Sequence, residues 1–237
     1  MHLKNVKAYL DLCRVSNLPT VWTNVLAGVI LSDGVFPGDT FLLLGASLSL
    51  FYSGGMCLND ICDRKVDVQK RPSRPIPSGR ISLTHAWFFT SLLFLAALCL
   101  LAAAPHRSAI FPGLLLLAVI VGYDTLHKAS YPSVLLMAAC RLLIFVVCSV
   151  GVTGALSLSP TVAGLIQFCY VLLISVVARQ ENSRARPFLF PVVPSMIAGI
   201  SLLDGIVLAA VASPAWLAAG LAGTVLTLLG QKYVRGD

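Results

Sequence analysis

The chain has 237 residues, of which 57% are hydrophobic and only 11% charged, with a formal net charge of +7. Soluble domains carry about 25% charged residues, so a mean hydropathy of +0.88 excludes an ordinary water-soluble domain. The positive charge follows membrane topology, as set out below, and does not call for nucleic acid as a partner.

The N-terminal stretch KNVKAYLDLCRVS places Val6, Tyr9, Leu10 and Cys13 at helical spacing. That pattern predicts an amphipathic segment lying at the membrane interface. It lacks the short apolar core and cleavage site of a signal peptide. Eight apolar blocks follow, at about 17–32, 40–58, 84–104, 109–124, 132–154, 161–178, 188–210 and 214–231. A spanning helix takes about 20 residues, and lipid offers the backbone no hydrogen-bond partners. The expectation is an all-α polytopic membrane protein, a single domain over residues 1–237 with no linker or internal repeat.

The loops fix the expected orientation. Fifteen of the seventeen Lys and Arg residues fall on one side of eight alternating spans; Arg107 stands opposite and Arg141 lies within the fifth span. By the positive-inside rule the basic side is cytoplasmic, together with both termini. The expected location is the inner (plasma) membrane of a bacterium. The seven cysteines form no CxxC pair and read as buried, inert thiols. His85, His106 and His127 have no ligand spacing, so histidine metal binding is unsupported.

Between the second and third spans runs NDICDRKVDVQKRPSRPIPSG, residues 59–79, with eight charged residues in an otherwise apolar chain. Asn59, Asp63 and Asp67 stand at i, i+4 and i+8, one helical stripe about 12 Å long, and Asp60 lies beside it. Pro72, Pro75 and Pro77 end any helix soon after. Carboxylates stacked at this spacing repel one another, and a cation makes sense of them. Hard oxygens suit Mg²⁺ or Ca²⁺, and Mg²⁺ typically takes one or two carboxylates and leaves positions for phosphate and water. Arg71, Arg74 and Arg80 then supply charge for phosphate oxygens. The alternative, a solvated loop with scattered ion pairs, accounts for Lys65 and Lys70 but not for the acidic register.

NDICDRKVD fits the N-D-x-x-D-x-x-x-D motif of the UbiA superfamily of intramembrane prenyltransferases, and RPSRPIPSG resembles the tail that follows it. LPTVWTNVLAGVIL resembles the family's first helix, including Asn24; YDTLHK resembles its tyrosine-to-lysine element, with Tyr123 and Lys128; Arg141 resembles an arginine on the next helix. The resemblance implies a horseshoe of helices around a polar pocket, an allylic prenyl diphosphate held through Mg²⁺, and an acceptor the sequence does not identify. It implies metal and diphosphate roles for Asn59, Asp63 and Asp67, with Asp60 in support and Asp63 and Asp67 as the catalytic pair. Phosphate contacts would come from Lys128 and Arg141.

Arg141 also stands out physically, since a charge inside a span costs about 2.5–3.5 kcal/mol on insertion scales and is functional by default. Lys128 reads equally well as a topology anchor, Tyr123 as part of an aromatic belt, and Asn24 as an interhelical hydrogen-bond partner. Asp204 reads as locally bonded or snorkelling, with no role. The chain departs from the family in ARQENSRARPFLFP, where a second acidic motif is expected. Glu181 and Asn182 offer oxygens there, position 185 is Ala, and Arg179, Arg184 and Arg186 flank them. Glu181 and Arg184 are accordingly candidate substrate contacts, with arginine partly replacing a second metal. Two spans follow this loop where the family commonly has three.

The leading expectation is a Mg²⁺-dependent prenyltransferase of isoprenoid biosynthesis; the alternative is a non-catalytic isoprenoid or lipid binder. A CDP-alcohol phosphotransferase would need D-G-x-x-A-R, and neither DG, at 33–34 or 204–205, continues that way. The topology is testable in a background lacking native thiols. Single cysteines near 36 and 157 should react with an impermeant reagent added outside, and those near 75 and 183 should not. Outside labelling at 75 would overturn the orientation.

Overall fold

The computed structural model describes residues 2–34, 36–125, 131–183 and 191–234, and among these the chain is helical with no strand. The ten helices are α1 (His2–Leu12), α2 (Leu18–Asp33), α3 (Gly38–Cys62), α4 (Arg64–Lys70), α5 (Leu83–Ala102), α6 (Ile110–Thr125), α7 (Tyr131–Thr153), α8 (Leu158–Ser183), α9 (Val192–Val211) and α10 (Leu217–Tyr233). All but α1 and α4 belong to segments long and apolar enough to cross a bilayer, as expected. Local signals set several ends. Pro19 sits in the first turn of α2, where no amide donor is needed. Gly34 closes that helix with φ 72°, a conformation glycine adopts freely. The Ser82 hydroxyl accepts from the His85 N–H to cap α5.

Helix α2 is the hub, packing against α3, α7, α8, α9 and α10. The other spans pack largely in succession around it, from α3 on α5 through α6, α7, α8 and α9 to α10. Their outer faces stay apolar. Phe88, Leu92 and Leu95 on α5, Leu165 and Leu173 on α8, and Leu221 and Val225 on α10 are exposed. In water such rows would be a liability; toward lipid tails they are what a span requires.

Between spans, close approach and buried hydrogen bonds replace the hydrophobic effect. Ser47 Oγ donates to the Ala97 carbonyl across α3 and α5 at 2.8 Å, and Tyr170 Oη donates to the Met196 carbonyl across α8 and α9 at 3.0 Å. Gly205 on α9 and Gly220 on α10 face each other so closely that a Cβ on Gly205 would lie 2.7 Å from the Gly220 Cα.

Two expectations need correction. The stripe on α1 is split: Cys13 is buried, beside Ala8 and Leu12, while Val6 and Leu10 point outward. The reason is that α1 packs over the α3 end and the following loop, against Cys57, Ile61, Ile76 and Ile81. Nor are the thiols uniformly buried. Cys62, Cys99 and Cys169 are exposed; Cys62 ends α3, and the other two lie within spanning helices, where lipid is as acceptable to a thiol as a protein core.

Gly220→Leu should force α9 and α10 apart and cost about 1–3 kcal/mol or more. Thermal unfolding in detergent checks this. Gly122→Ala, whose new Cβ would meet only Leu136 Cδ1 at 3.7 Å, should leave the transition in place.

Candidate functional site

Five spans contribute one face each to a cavity of about 310 Å³. On α3 the lining residues are Leu48, Phe51, Tyr52, Gly55, Met56 and Asn59, the i, i+3, i+4 series of a single helical stripe. Leu116, Ile120, Tyr123 and Asp124 on α6 repeat the spacing, as do Met137, Cys140, Arg141 and Ile144 on α7. Val171, Ile174, Ser175 and Ala178 of α8 and Val193, Ile197 and Ile200 of α9 close the wall. Following each helix gives the cavity a direction. Its inner end is Leu48, Leu116, Ile144 and Val171; its mouth is Asn59, Tyr123 and Asp124, joined by Arg14 and Asn17 from the turn before α2.

At the mouth, the backbone keeps the register expected from sequence. Helices α3 and α4 are separated only at Asp63, and the Asp63 N–H still bonds the Asn59 carbonyl while the Asp67 N–H bonds that of Asp63, both at 2.9 Å. The side chains, however, go to different partners. Asn59 Nδ2 donates to Asp124 Oδ1 at 3.0 Å. Arg74 Nη1 sits between Asp60 Oδ1 at 3.0 Å and Asp67 Oδ2 at 2.7 Å, and Arg14 Nη2 reaches the same Asp60 oxygen at 3.1 Å. Asp60 and Asp67, seven residues apart, share the face that the basic groups neutralise. Among the described residues no three acidic, His or Cys side chains converge as a ready-made metal cage.

Arg14 has φ 48° and ψ 48°, the one non-glycine residue with positive φ among those described. Such a conformation costs of order 1–3 kcal/mol and persists where surroundings over-determine it. Here it turns the chain between α1 and α2 so that Arg14 lines two cavities at once. The second is polar, about 250 Å³, and bounded by Lys7, Asp11, Arg14, Asp60, Ser73, Arg74, Pro75, Arg80 and Tyr233.

Several sequence-predicted contacts are placed elsewhere. Arg71, Arg74 and Arg80 do not form one cluster. Arg74 is 2% exposed and committed to carboxylates, Arg80 bonds the Ser73 carbonyl at 2.6 Å and pairs with Asp11 at 3.5 Å, and Arg71 is on the exposed surface. The loop's prolines fold it back onto α3, which draws Arg74 inside. Asn24 does not line the cavity. It is buried behind Arg141, accepting from Arg141 Nη1 and donating to Asp204 Oδ2, both at 2.7 Å. The interhelical reading of Asn24 is the one the geometry supports. Asp204 does not snorkel; it is 2% exposed and also accepts from Gln167 Nε2 at 2.7 Å. Glu181 lies on α8 one turn beyond the cavity-lining Ala178, on the same face. Lys128 and Arg184 lie outside the described residues.

Asp124, Asn17, Arg14 and Tyr52 belong to the site and were not singled out in the sequence. Asp124 carries a signal, an acid at the end of an apolar span, next to Tyr123. Arg14 has none, because a basic residue before the first span is what topology alone requires.

The UbiA prenyltransferase family model matches residues 20–234, so the chain belongs to that family. Over 115 residues, 48% of this chain, it is 34% identical to a digeranylgeranylglyceryl phosphate synthase of Methanothrix thermoacetophila. Over 89 residues, 36% of the chain, it is 44% identical to the synthase of that name from Methanococcus vannielii. The matched stretches span 43% and 32% of those relatives, less than half their length. A structure described as giving insight into digeranylgeranylglyceryl phosphate synthase in membranes superposes with a TM-score of 0.63, at 18% identity, over 97% of this chain and 95% of that one. A UbiA homolog from Archaeoglobus fulgidus bound to DMAPP and Mg²⁺ gives 0.57 at 16% identity, over 95% and 96%. These establish an integral membrane protein of the UbiA fold.

The Arg74 bridge has a measurable consequence. Removing one partner of a buried ion pair typically costs about 3–5 kcal/mol, more than removing both. Arg74→Met should therefore lower the unfolding temperature in detergent sharply, and adding Asp67→Asn should recover part of the loss. Equal losses in the single and double variants would contradict the pairing.

Proposed function

We propose that this chain, a member of the UbiA prenyltransferase family, transfers an isoprenoid chain from an allylic prenyl diphosphate to a small acceptor. The observation that carries the reading is the polarity gradient of the main cavity. Its inner end is hydrocarbon throughout, and its mouth carries Arg14, Asn59 and Asp124. A ligand matching it has a long apolar tail and a charged head, held with the head toward the basic loops. Homologs of the same fold bound to DMAPP with Mg²⁺ and to GPP with Mg²⁺ support that choice.

The residues at the mouth fit a hard divalent cation. Asn59, Asp63 and Asp67 bring oxygen donors at one-turn intervals, and a guanidinium already serves as counter-cation between Asp60 and Asp67. Mg²⁺ held by Asn59, Asp63 and Asp67, with Asp60 behind them, would neutralise diphosphate charge and improve it as a leaving group. The chain's own residues do the rest. Arg14 and Arg141 put positive charge at the cavity wall where the departing diphosphate gathers negative charge. The rings of Phe51, Tyr52 and Tyr123 line the same space and offer π faces to an allylic carbon that becomes electron-poor. The apolar wall excludes water, which would otherwise capture that carbon. In the reaction the allylic C–O bond breaks and its electron pair leaves on diphosphate. The acceptor bonds to the freed carbon and gives up a proton. Glu181, near the end of α8, and Lys128 and Arg184, outside the described residues, are proposed as further contacts to the head of the substrate.

For the acceptor, we infer an alcohol that carries a phosphate. The name shared by the relatives points to a glyceryl phosphate product, and the polar cavity beside the mouth presents Lys7, Arg14, Arg74 and Arg80. One observation favours the non-catalytic reading, that Asp60 and Asp67 are already neutralised by Arg74.

Protein in lipid nanodiscs supplied with radiolabelled prenyl diphosphates of several lengths, Mg²⁺ and glyceryl phosphate lipids separates the two. Transfer should give free diphosphate and a labelled lipid, and chelation of the metal should abolish both. Asp63→Asn should lower kcat/KM on the order of 10²-fold without lowering the unfolding temperature. Tight binding with no diphosphate release in the parent would establish the non-catalytic reading.

A further inference from the structure

Behind the cavity wall lies a chain of side-chain hydrogen bonds that joins α7, α2, α9 and α8. Arg141 Nη1 donates to Asn24 Oδ1 at 2.7 Å, and its Nη2 donates to Thr20 Oγ1 at 3.0 Å. Asn24 Nδ2 donates to Asp204 Oδ2 at 2.7 Å. Gln167 Nε2 donates to Asp204 Oδ1 at 2.7 Å and to the Ile200 carbonyl at 3.0 Å. Asn24, Gln167 and Asp204 are at most 2% exposed, and of the four side chains in line only Arg141 lines the cavity.

We propose that Asp204 is a positioning residue for Arg141: acting through Asn24, it fixes the guanidinium at the cavity wall, where it meets the anionic head of the substrate. The inference rests on the reading of this cavity as a prenyl diphosphate site. The polarity of the relay is forced. A guanidinium only donates and a carboxylate only accepts, so an amide between them must turn its oxygen to the arginine and its NH₂ to the aspartate. A single orientation of Asn24 satisfies both ends. The spacing matters too. A carboxylate set back behind a neutral amide balances the arginine's charge in the apolar interior and holds it by two of its five N–H donors, at the wall of the cavity that Arg141 lines. The Tyr52 ring, 5.8 Å from the guanidinium carbon, covers another side of the group.

Asp204→Asn breaks this logic. The amides of Asn24 and Gln167 then both point donors at a group with one acceptor oxygen, so one of them must turn. If Asn24 turns, its NH₂ faces the guanidinium and Arg141 loses its anchor. The exchange variant Asn24→Asp with Asp204→Asn restores every donor–acceptor match and the net charge. It serves if the single variant folds poorly.

Binding of a radiolabelled prenyl diphosphate in nanodiscs with Mg²⁺ is measured for the parent, Asp204→Asn, Arg141→Gln, the double variant of those two, and the exchange. Asp204→Asn and Arg141→Gln should each weaken binding on the order of tenfold, the worth of one charge-assisted hydrogen bond. The double variant should be no weaker than Arg141→Gln alone, because the aspartate acts only through the arginine. The exchange should recover part of the affinity. A purely structural Asp204 would instead give losses that add in the double variant, and that result overturns the relay while leaving the functional reading intact. So does parental affinity in Asp204→Asn, or an exchange variant that folds and binds no better than Arg141→Gln. A parent that binds no prenyl diphosphate overturns the functional reading, and the relay with it.

Discussion

An ionised group inside hydrocarbon must find its counter-charge within the protein, and the arrangement of this molecule follows from how it does so. Arg141 lies near the middle of α7 and Asp204 well inside α9. Asp204 is buried, and a single unpaired charge at such depth would oppose insertion of its helix. Asn24 on α2 joins them. The helix that packs against α3, α7, α8, α9 and α10 is thereby also the one that carries the electrostatic link, and α2, α7, α8 and α9 are tied by side chains that have no alternative partners in lipid. Thr23 and Ser201 add a further α2–α9 contact, 3.2 Å between hydroxyls. Charge compensation behind the wall lets the wall itself present a cation to an otherwise hydrocarbon cavity.

The same constraint governs the mouth with a different solution. Asp60 and Asp67 are buried by the returning proline-rich loop, and burial of two carboxylates requires cations of equal permanence. Arg74 comes from that loop and Arg14 from the strained turn before α2. Three separate segments, α1 with its turn, the α3–α4 unit and the loop to α5, are thus held together by one set of ion pairs and by the cluster around Ile61, Ile76 and Ile81. Asn59 and Asp124 couple this assembly to α6. The acidic residues consequently stand in a preset geometry at the end of an apolar tunnel, where charge interactions are stronger than in water.

Much of this was legible in the sequence, and the divide between what was and was not has a physical basis. Spans are encoded locally, because twenty consecutive apolar residues leave the backbone no other choice; each of the eight was visible. The register of Asn59, Asp63 and Asp67 is also local, set by four-residue spacing on a helix. Partner choice is not local. Arg74 and Asp67 are seven residues apart, and nothing in the prolines on either side of Arg74 announces that the loop returns inward and not out to phosphate. Asn24 and Asp204 are separated by 180 residues, so their hydrogen bond is invisible until α2 and α9 are side by side. Gln167, an isolated polar residue in α8, closes the relay without any local pattern to announce it. Intramembrane polar residues were the right places to look; which of them meet was a property of the packing.

In the proposed function the main cavity holds the hydrocarbon of a prenyl diphosphate with its head at the charged mouth. A prenyl diphosphate bearing a photoreactive diazirine at its terminal carbon, activated in nanodiscs with Mg²⁺, tests this directly once the adducts are mapped by mass spectrometry. Adducts should appear on the inner cavity wall, at Leu48, Phe51, Leu116 or Ile144, and unlabelled prenyl diphosphate should suppress them. Adducts confined to lipid-facing positions such as Leu92, Leu115 or Leu173, unaffected by competitor, would contradict it.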